Sequence, residues 1–326
     1  MKTLLLFFFS LIILFSQKGK AQDIHFSQFF TSPLLLNPAN TGFFNCDYRF
    51  TANYRSQWHS VTVPYNTFAA SGDLRLVKGK NGKDLLGVGT VLSADKAGDS
   101  QFSTTQGGIA LAYNYNLDRF GIQYFGGGLL LSYNSSTINY SALKFSTPEP
   151  NFFATSLNYV DLSAGLAWHY IPDHENNFSF GGSVYHINNP RKSFFANNLS
   201  RLPTKYVLNM DMELRATNRV EFYPKAMFEV QGGNQELVFG SSARAKLGKL
   251  SDSRYGMYLG LWYRWNDAAI IFTRFDIDNL SFSFSYDMNV SQLREVSEIK
   301  GGPELSVIYI GCIPSFSRKT VYCPRF

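Results

Sequence analysis

Residues 280–289 read LSFSFSYDMN and sort into two lists. Leu280, Phe282, Phe284, Tyr286 and Met288 hold one parity, and Ser281, Ser283, Ser285, Asp287 and Asn289 hold the other. Alternate side chains of a strand face opposite sides, so this is a ribbon with one apolar face and one small polar face. The pattern recurs. In 48–58, Tyr48, Phe50, Ala52 and Tyr54 alternate with Arg49, Thr51, Asn53 and Arg55. In 160–170, Val160, Leu162, Leu166 and Trp168 oppose Asp161, Ser163 and His169. In 220–230, Phe222, Ala226 and Phe228 oppose Glu221, Lys225 and Glu229. Similar runs lie at 65–77, 84–97, 102–116, 120–138, 176–188, 207–215, 235–248, 254–266, 268–277 and 303–312. The alternation predicts about fourteen strands and no helix of convincing period.

Two environments suit such ribbons: a soluble sandwich with its apolar faces inward, or a membrane barrel with them outward. The connections favour the barrel. With both chain ends in the periplasm, the even-numbered gaps are short and rich in Asn, Asp and Gly, as at 79–82, 116–119, 172–177, 217–219, 250–253 and 278–279. The longest gaps, 140–158, 189–203 and 290–302, are all odd-numbered. An even strand count, strands of ~10 residues, short periplasmic turns and longer outer loops are the signature of an outer-membrane barrel. Trp58, Tyr170, Trp262 and Trp265 crowd strand ends, as interfacial girdles do. A soluble sandwich would carry more Lys and Glu on its solvent face. The expected fold is therefore all-β, a transmembrane barrel of about fourteen antiparallel strands.

Composition and charge refine this picture. Aromatic residues make up 16% and charged residues only 17%. The segment 1–21 has a basic start, an apolar run from Leu4 to Phe15 and a small residue at Ala21, the pattern of a cleaved signal peptide. Its removal takes Lys2, Lys18 and Lys20 and no acid, so 30 basic residues fall to 27 against 24 acidic. That balance suggests no nucleic-acid partner. The expected organisation is a signal peptide at 1–21, an N-terminal plug or rim segment at 22–46, a barrel over 47–312 and a periplasmic tail at 313–326. The closing Phe326 is the residue type that outer-membrane assembly commonly uses at a C-terminus.

A barrel of this size is wide enough for a lumen. Its inward list mixes Arg49, Arg55, Asp73, Arg215, Glu221, Arg244, Arg264 and Asp287 among others, a balance of signs that predicts a wall of ion pairs more than a selective pore. Catalytic motifs are lacking: neither GxSxG nor HExxH occurs, the five His residues have no metal-ligand spacing, and no cofactor is expected. His169 is the one His well inside a strand with inward parity, so a barrel hydrolase would need a Ser beside it. The FGGG run at 125–128 lies in a strand and so cradles no phosphate.

The segment before the first strand is heavily apolar yet broken by turn signals at Asn37-Pro38 and Thr41-Gly42. Phe26, Phe29, Phe30 and Leu35 must dock somewhere, as a lumenal plug or as a clamp on the periplasmic rim. The three Cys residues gather at the same end: Cys46 precedes the first strand, Cys312 ends the last and Cys323 lies in the tail. One disulfide is expected, either Cys312–Cys323 or a bond from Cys46 across the seam.

HFSQFFTSPLLLNPANTG at 25–42, YRSQW at 54–58, HINNPRKSFF at 186–195, LPTKY at 202–206 and GGPELSVIYI at 301–310 resemble the PorP/SprF family of the type IX secretion system. The resemblance implies a non-enzymatic outer-membrane barrel serving secretion and, in gliding bacteria, export of surface adhesins. Its implied partners are a large secreted adhesin or its C-terminal domain, the periplasmic ring of the secretion machinery, and the lipid bilayer. A core secretion subunit and a plugged diffusion or hydrophobic-solute channel are the alternatives. The candidate partner-binding loops carry Phe152, Phe153, Arg191, Phe194 and Phe195, residue types that interfaces enrich. The same rings would also serve as a lid over the barrel mouth.

Overall fold

The computed structural model describes residues 23–57, 64–78, 83–98, 101–140, 154–173, 176–194, 200–247, 254–291 and 300–313. The signal-peptide region, Trp58, Phe152, Phe153, Phe195 and Cys323 lie outside them. The strands are β1 (Tyr48–Gln57), β2 (Tyr65–Lys78), β3 (Asp84–Ala97), β4 (Phe102–Asn116), β5 (Gln123–Thr137), β6 (Ser156–Tyr170) and β7 (Asn177–Tyr185). They continue as β8 (Lys205–Arg215), β9 (Val220–Gln231), β10 (Asn234–Lys246), β11 (Tyr255–Arg264), β12 (Ala268–Ile277), β13 (Leu280–Asn289) and β14 (Lys300–Gly311). Each strand pairs with its sequence neighbours, and β1 pairs antiparallel with β14, Tyr48 opposite Gly311 and Arg55 opposite Glu304. The sheet is a closed barrel of fourteen antiparallel strands without an edge along the seam.

The parity read from the sequence carries through to burial. Phe50, Phe68, Leu92, Ile109, Leu131, Leu208, Leu261 and Phe282 are exposed on the outside, while Arg49, Asn53, Arg55, Asp161, Arg264 and Asp287 are buried within. A continuous outer belt of large apolar side chains over a polar interior is the reverse of a soluble sandwich. Lipid satisfies the belt, and closure satisfies the backbone.

Four expectations change. β6 begins at Ser156, so the outer loop expected to run to 158 ends sooner. β7 ends at Tyr185 and not at 188, because His186 (φ 58°) and Asn189 (φ 41°) leave the strand conformation just before Pro190. Trp262 is not part of a girdle. It shares the parity of Arg264, faces inward and is 4% exposed. Arg215, expected inside, is an exposed strand end whose guanidinium donates to Asn218.

Candidate functional site

The segment 23–44 lies inside the barrel, and its local structure follows from its prolines. Pro33 starts a single helical turn, Pro33–Leu36, flanked by 3-10 turns at Phe29–Thr31 and Pro38–Asn40. Asn37, held extended (φ −159°, ψ 118°) by the proline after it, breaks the run. Its side-chain oxygen accepts from the Ala39 N–H at 3.0 Å, while its amide donates to the Leu166 carbonyl at 3.0 Å and approaches Asn209 Oδ1 at 3.4 Å. One Asn side chain thus closes its own turn and ties that turn to β6 and β8.

The wall makes room for this turn by omitting side chains. A Cβ on Gly128 would sit 2.4 Å from the Pro38 carbonyl, one on Gly165 would sit 2.0 Å from Asn37 Oδ1, and one on Gly181 would sit 2.6 Å from Asn37 Nδ2. Lower down, Gly42 adopts φ 71°, and a Cβ on the facing Gly87 would lie 1.9 Å from the Thr41 carbonyl oxygen. Gly128, the last residue of FGGG, is therefore part of the wall of a socket, a role invisible while its partner segment is unplaced.

Three layers of side chains hold the segment. At the seam end, Arg49 donates to Asp73 Oδ1 at 3.0 Å and Oδ2 at 2.7 Å, reaches the Asn40 carbonyl at 3.1 Å, and lies 4.6 Å from the Phe44 ring centre. The Gly42 N–H donates to the same Asp73 at 2.8 Å. In the middle, Leu34 and Leu36 pack with Val91, Ala110 and Leu130, and Phe30 stacks on Trp262 with ring centres 5.2 Å apart. Toward the opposite end of the barrel, the Ser27 and Gln28 N–H groups donate to the two Glu304 oxygens at 2.8 and 3.0 Å. The Gln28 amide donates to Ser285 at 2.9 Å and accepts from Ser283 at 2.7 Å. Arg55 and Arg264 converge on Asp287 at 2.8 and 3.0 Å. Of the serines of LSFSFSYDMN, Ser283 and Ser285 grip Gln28, while Ser281 donates to Asp276.

The expected plug residues divide accordingly. Phe26, Phe29, Phe30, Asn37 and Pro38 are buried and Leu35 is partly so. The sequence reading missed Ser27 and Gln28 with their wall partner Glu304, and it left Asp73 and the FGGG run unconnected to the segment they hold. Glycine at inward strand positions was the one signal for the second group.

The topmost clamp is ionic. His186 binds Asp23 through Nε2 at 2.5 Å and Asp161 through Nδ1 at 3.0 Å, and Lys205 approaches Asp23 at 3.8 Å. Burial alone would lower the His186 pKa, but the two carboxylates outweigh it and raise the imidazole above its usual value. Burial would likewise raise Asp23; the His186 hydrogen bond and the Lys205 charge instead hold it well below the carboxylate range. His25, half-buried and 4.0 Å from Glu236, is lowered by desolvation to about 4. Between this clamp and the wall lies a cavity of about 190 Å³, lined by Phe26, Phe29, Leu36 and Met227 and by Lys205 and Glu229.

His169 does have a serine beside it: Ser179 Oγ is 2.8 Å from Nδ1. Phe43 stacks flat on the imidazole at 3.6 Å, and both residues are buried. The pair is covered by the segment through Phe43.

Cys46 is joined to Cys312, with Cα atoms 4.7 Å apart. This replaces the Cys312–Cys323 alternative, and the reason is closure: Asp47 N–H donates to the Gly311 carbonyl at 3.0 Å, which brings the flanking residues together. Of the loop residues, Arg191 is exposed and bridges to Arg201, and Phe194 packs edge-on against Phe102 with centres 6.2 Å apart. Phe194 therefore leans over the mouth toward β4.

A closed, lipid-belted barrel of antiparallel strands with an occupied lumen defines an outer-membrane protein. The chain belongs to the PorP/SprF family of type IX secretion system membrane proteins, whose profile matches residues 18–309. No curated protein matches its sequence. Among solved structures, the fold is similar to the toluene transporter TbuX of Ralstonia pickettii, with a TM-score of 0.52 at 10% identity over 90% of this chain and 95% of that one. It is also similar to a FadL homologue of Pseudomonas aeruginosa, with a TM-score of 0.51 at 10% identity over 86% and 94%. The monoaromatic hydrocarbon channel CymD gives a TM-score of 0.52 at 11% identity over 91% and 95%. At such identities the likeness is one of fold.

Proposed function

We propose that this chain is a non-enzymatic barrel of the type IX secretion and gliding machinery that acts as the export or anchoring partner of a secreted surface adhesin. Both its termini lie in the periplasm, and its outer loops meet the client. The observation that carries this reading, beside family membership, is the socket. A segment seated in glycine notches and held by buried ion pairs is a permanent filling, so the barrel serves as a rigid platform in the outer membrane. A conduit for a folded client needs a clear lumen, and here the lumen is built around its own chain. The core-subunit alternative, with contacts to the periplasmic ring, uses the same platform from its other end.

The mouth cavity is the one feature that favours a second reading, a channel for small hydrophobic solutes. The apolar part of its lining, Phe26, Phe29, Leu36 and Met227, suits such a solute, but the segment 23–44 lies across the path beyond it.

The test is a pull-down in mild detergent from native outer membranes, with a tag at 290–302, paired with bilayer conductance of the purified chain. An adhesin in the eluate and a silent bilayer support the partner reading. Ring proteins in its place mark a core subunit. Solute-dependent uptake with no co-purifying protein overturns both in favour of the channel.

A further inference from the structure

The barrel wall is not of even height. β4, β5 and β6 each run 15 residues, whereas β7 runs 9. The β6–β7 ladder stops at Ala164 opposite Val184, while β6 stays paired to β5 up to Ser156 opposite Thr137. Two contacts then finish the ladder. The Ile187 N–H donates to the Leu162 carbonyl at 3.0 Å. The Asn188 side chain mimics one more residue of strand, accepting from the Leu162 N–H at 3.2 Å and donating to the Val160 carbonyl at 2.7 Å.

Beyond that cap, no strand among the described residues pairs with the β7 side of β6. In an antiparallel ladder the N–H and C=O of one residue point to the same side, and those of the next residue point to the other. Leu162 directs both groups toward β7, so Asn158 and Ser156 aim theirs at the open side, as Val160 does its N–H, its carbonyl being taken by Asn188. All three residues are exposed.

This edge stands above the lipid. The apolar belt on these strands ends at Ile109, Tyr133 and Val160. Above it the outward positions are Thr105 and Ser103, Ser135 and Thr137, and Asn158 and Ser156, all small or polar. Strands β2 to β6 therefore rise together to this level as a raised tongue of the wall, and β6 is its bare side. Exposed strand edges are templates for another chain, and proteins normally blunt them with charge, proline or a bulge. Residues 156–160, SLNYV, have none of these.

We infer that the outer edge of β6, residues 156–160, is a docking site for an extended segment of an exported client, which adds to the tongue as an antiparallel strand. The inference rests on the secretion reading above. Strand addition fits because it draws affinity from main-chain hydrogen bonds and needs no deep pocket. The length also selects the occupant. Five residues span about 17 Å, enough for a peptide strand. A single strand edge of that length is too small a contact for a stable pairing of two barrels, which would bury roughly 1,200 Å². Leu157 and Tyr159, on the inner face of the tongue, offer the incoming strand an apolar side.

Asn158→Pro tests this directly, since it removes an N–H on the open side and leaves the β5 ladder intact; Val160→Pro is the second variant of the same kind. Each full-length chain, carrying a photo-crosslinking residue at Ser156, is expressed in cells whose own copy is deleted. Heat-modifiable migration of each variant checks that the barrel has formed. Cross-linked peptides from an exported protein, kept in Asn158→Ala and lost in both proline variants, are expected. Cross-links that survive the proline variants, that join two copies of this chain, or that stay within one chain overturn the inference. Export of the surface protein separates the two readings. If deletion of the chain leaves export unchanged, the secretion reading fails. If export needs the chain but tolerates Asn158→Pro, the edge inference fails alone.

Discussion

A Cβ on Gly128 would stand 2.4 Å from the carbonyl carbon and oxygen of Pro38. The barrel wall and the segment inside it are therefore fitted to one another at backbone level, and a methyl group is enough to disturb them.

Gly128→Ala should push the Pro38–Ala39 turn off β5. Overpacking of this kind costs about 1–3 kcal/mol, read as a lower unfolding temperature in detergent. The larger Gly128→Val should also raise bilayer conductance as the segment loosens. Gly127→Ala is the control: Gly127 points to lipid, where its nearest neighbour is Leu166 at an ordinary 3.5 Å. An equal loss in both variants would sink the socket argument.

Asp73→Ala should be among the most damaging single changes. It leaves the fully buried Arg49 without its carboxylate and frees the Gly42 N–H. Breaking a buried pair typically costs about 3–5 kcal/mol, whereas replacing both members with apolar residues is often nearly neutral. The double variant Arg49→Met with Asp73→Leu should therefore be more stable than Asp73→Ala in the same denaturation assay.

The clamp around His186 should make stability depend on pH in two opposed limbs. His186, raised by Asp161 and Asp23, adds stability that is fully present below pH 6.5 and is lost as pH rises through its folded pKa. The charges facing it are Asp161 from β6, Asp23 from the lumenal segment, Lys205 from β8 and, behind Lys205, Glu229 from β9. His25, lowered to about 4 beside Glu236, Arg55, Arg264 and Asp287, acts the other way. It costs stability as pH falls from 6.5 toward 4, since the unfolded chain then binds the proton first. Unfolding temperature should peak near pH 6.5, with His186→Gln flattening the alkaline limb and His25→Gln the acid limb.

Reduction should weaken the seam. The Cys46–Cys312 bond closes a loop with a sequence separation of 266 and ties the foot of the lumenal segment to β14. Loss of such a bond typically costs about 2–5 kcal/mol. Dithiothreitol, or Cys46→Ser, should lower the temperature of heat-modified migration, and the thiol reagent should have no further effect on the variant.

What the sequence determined by itself was the barrel. Strand alternation is a local property, written into every second residue, and its sign reversed as soon as the polar parity was seen to hold Arg49, Asp161 and Asp287 while the apolar parity held Phe and Leu. Short even-numbered gaps then set the up-and-down order of β1 to β14. Local pattern was less sure where two meanings share one parity, which is why Trp262 read as a girdle residue and turned out to stack on Phe30.

What only the tertiary structure decided was the filling of the lumen. Gln28 meets Glu304, Ser283 and Ser285 across more than 250 residues of chain, and Asn37 meets Leu166 across 129. No periodicity records such pairs. The glycines at 87, 128 and 165 look like weak points of three strands until the turn that occupies their missing side chains is in place. The choice of Cys46 over Cys323 has the same origin, because it is closure of β1 on β14 that brings the two sulfurs together. Alternation is fixed by neighbours along the chain, but a socket is fixed by volume, and volume exists only once the chain has folded.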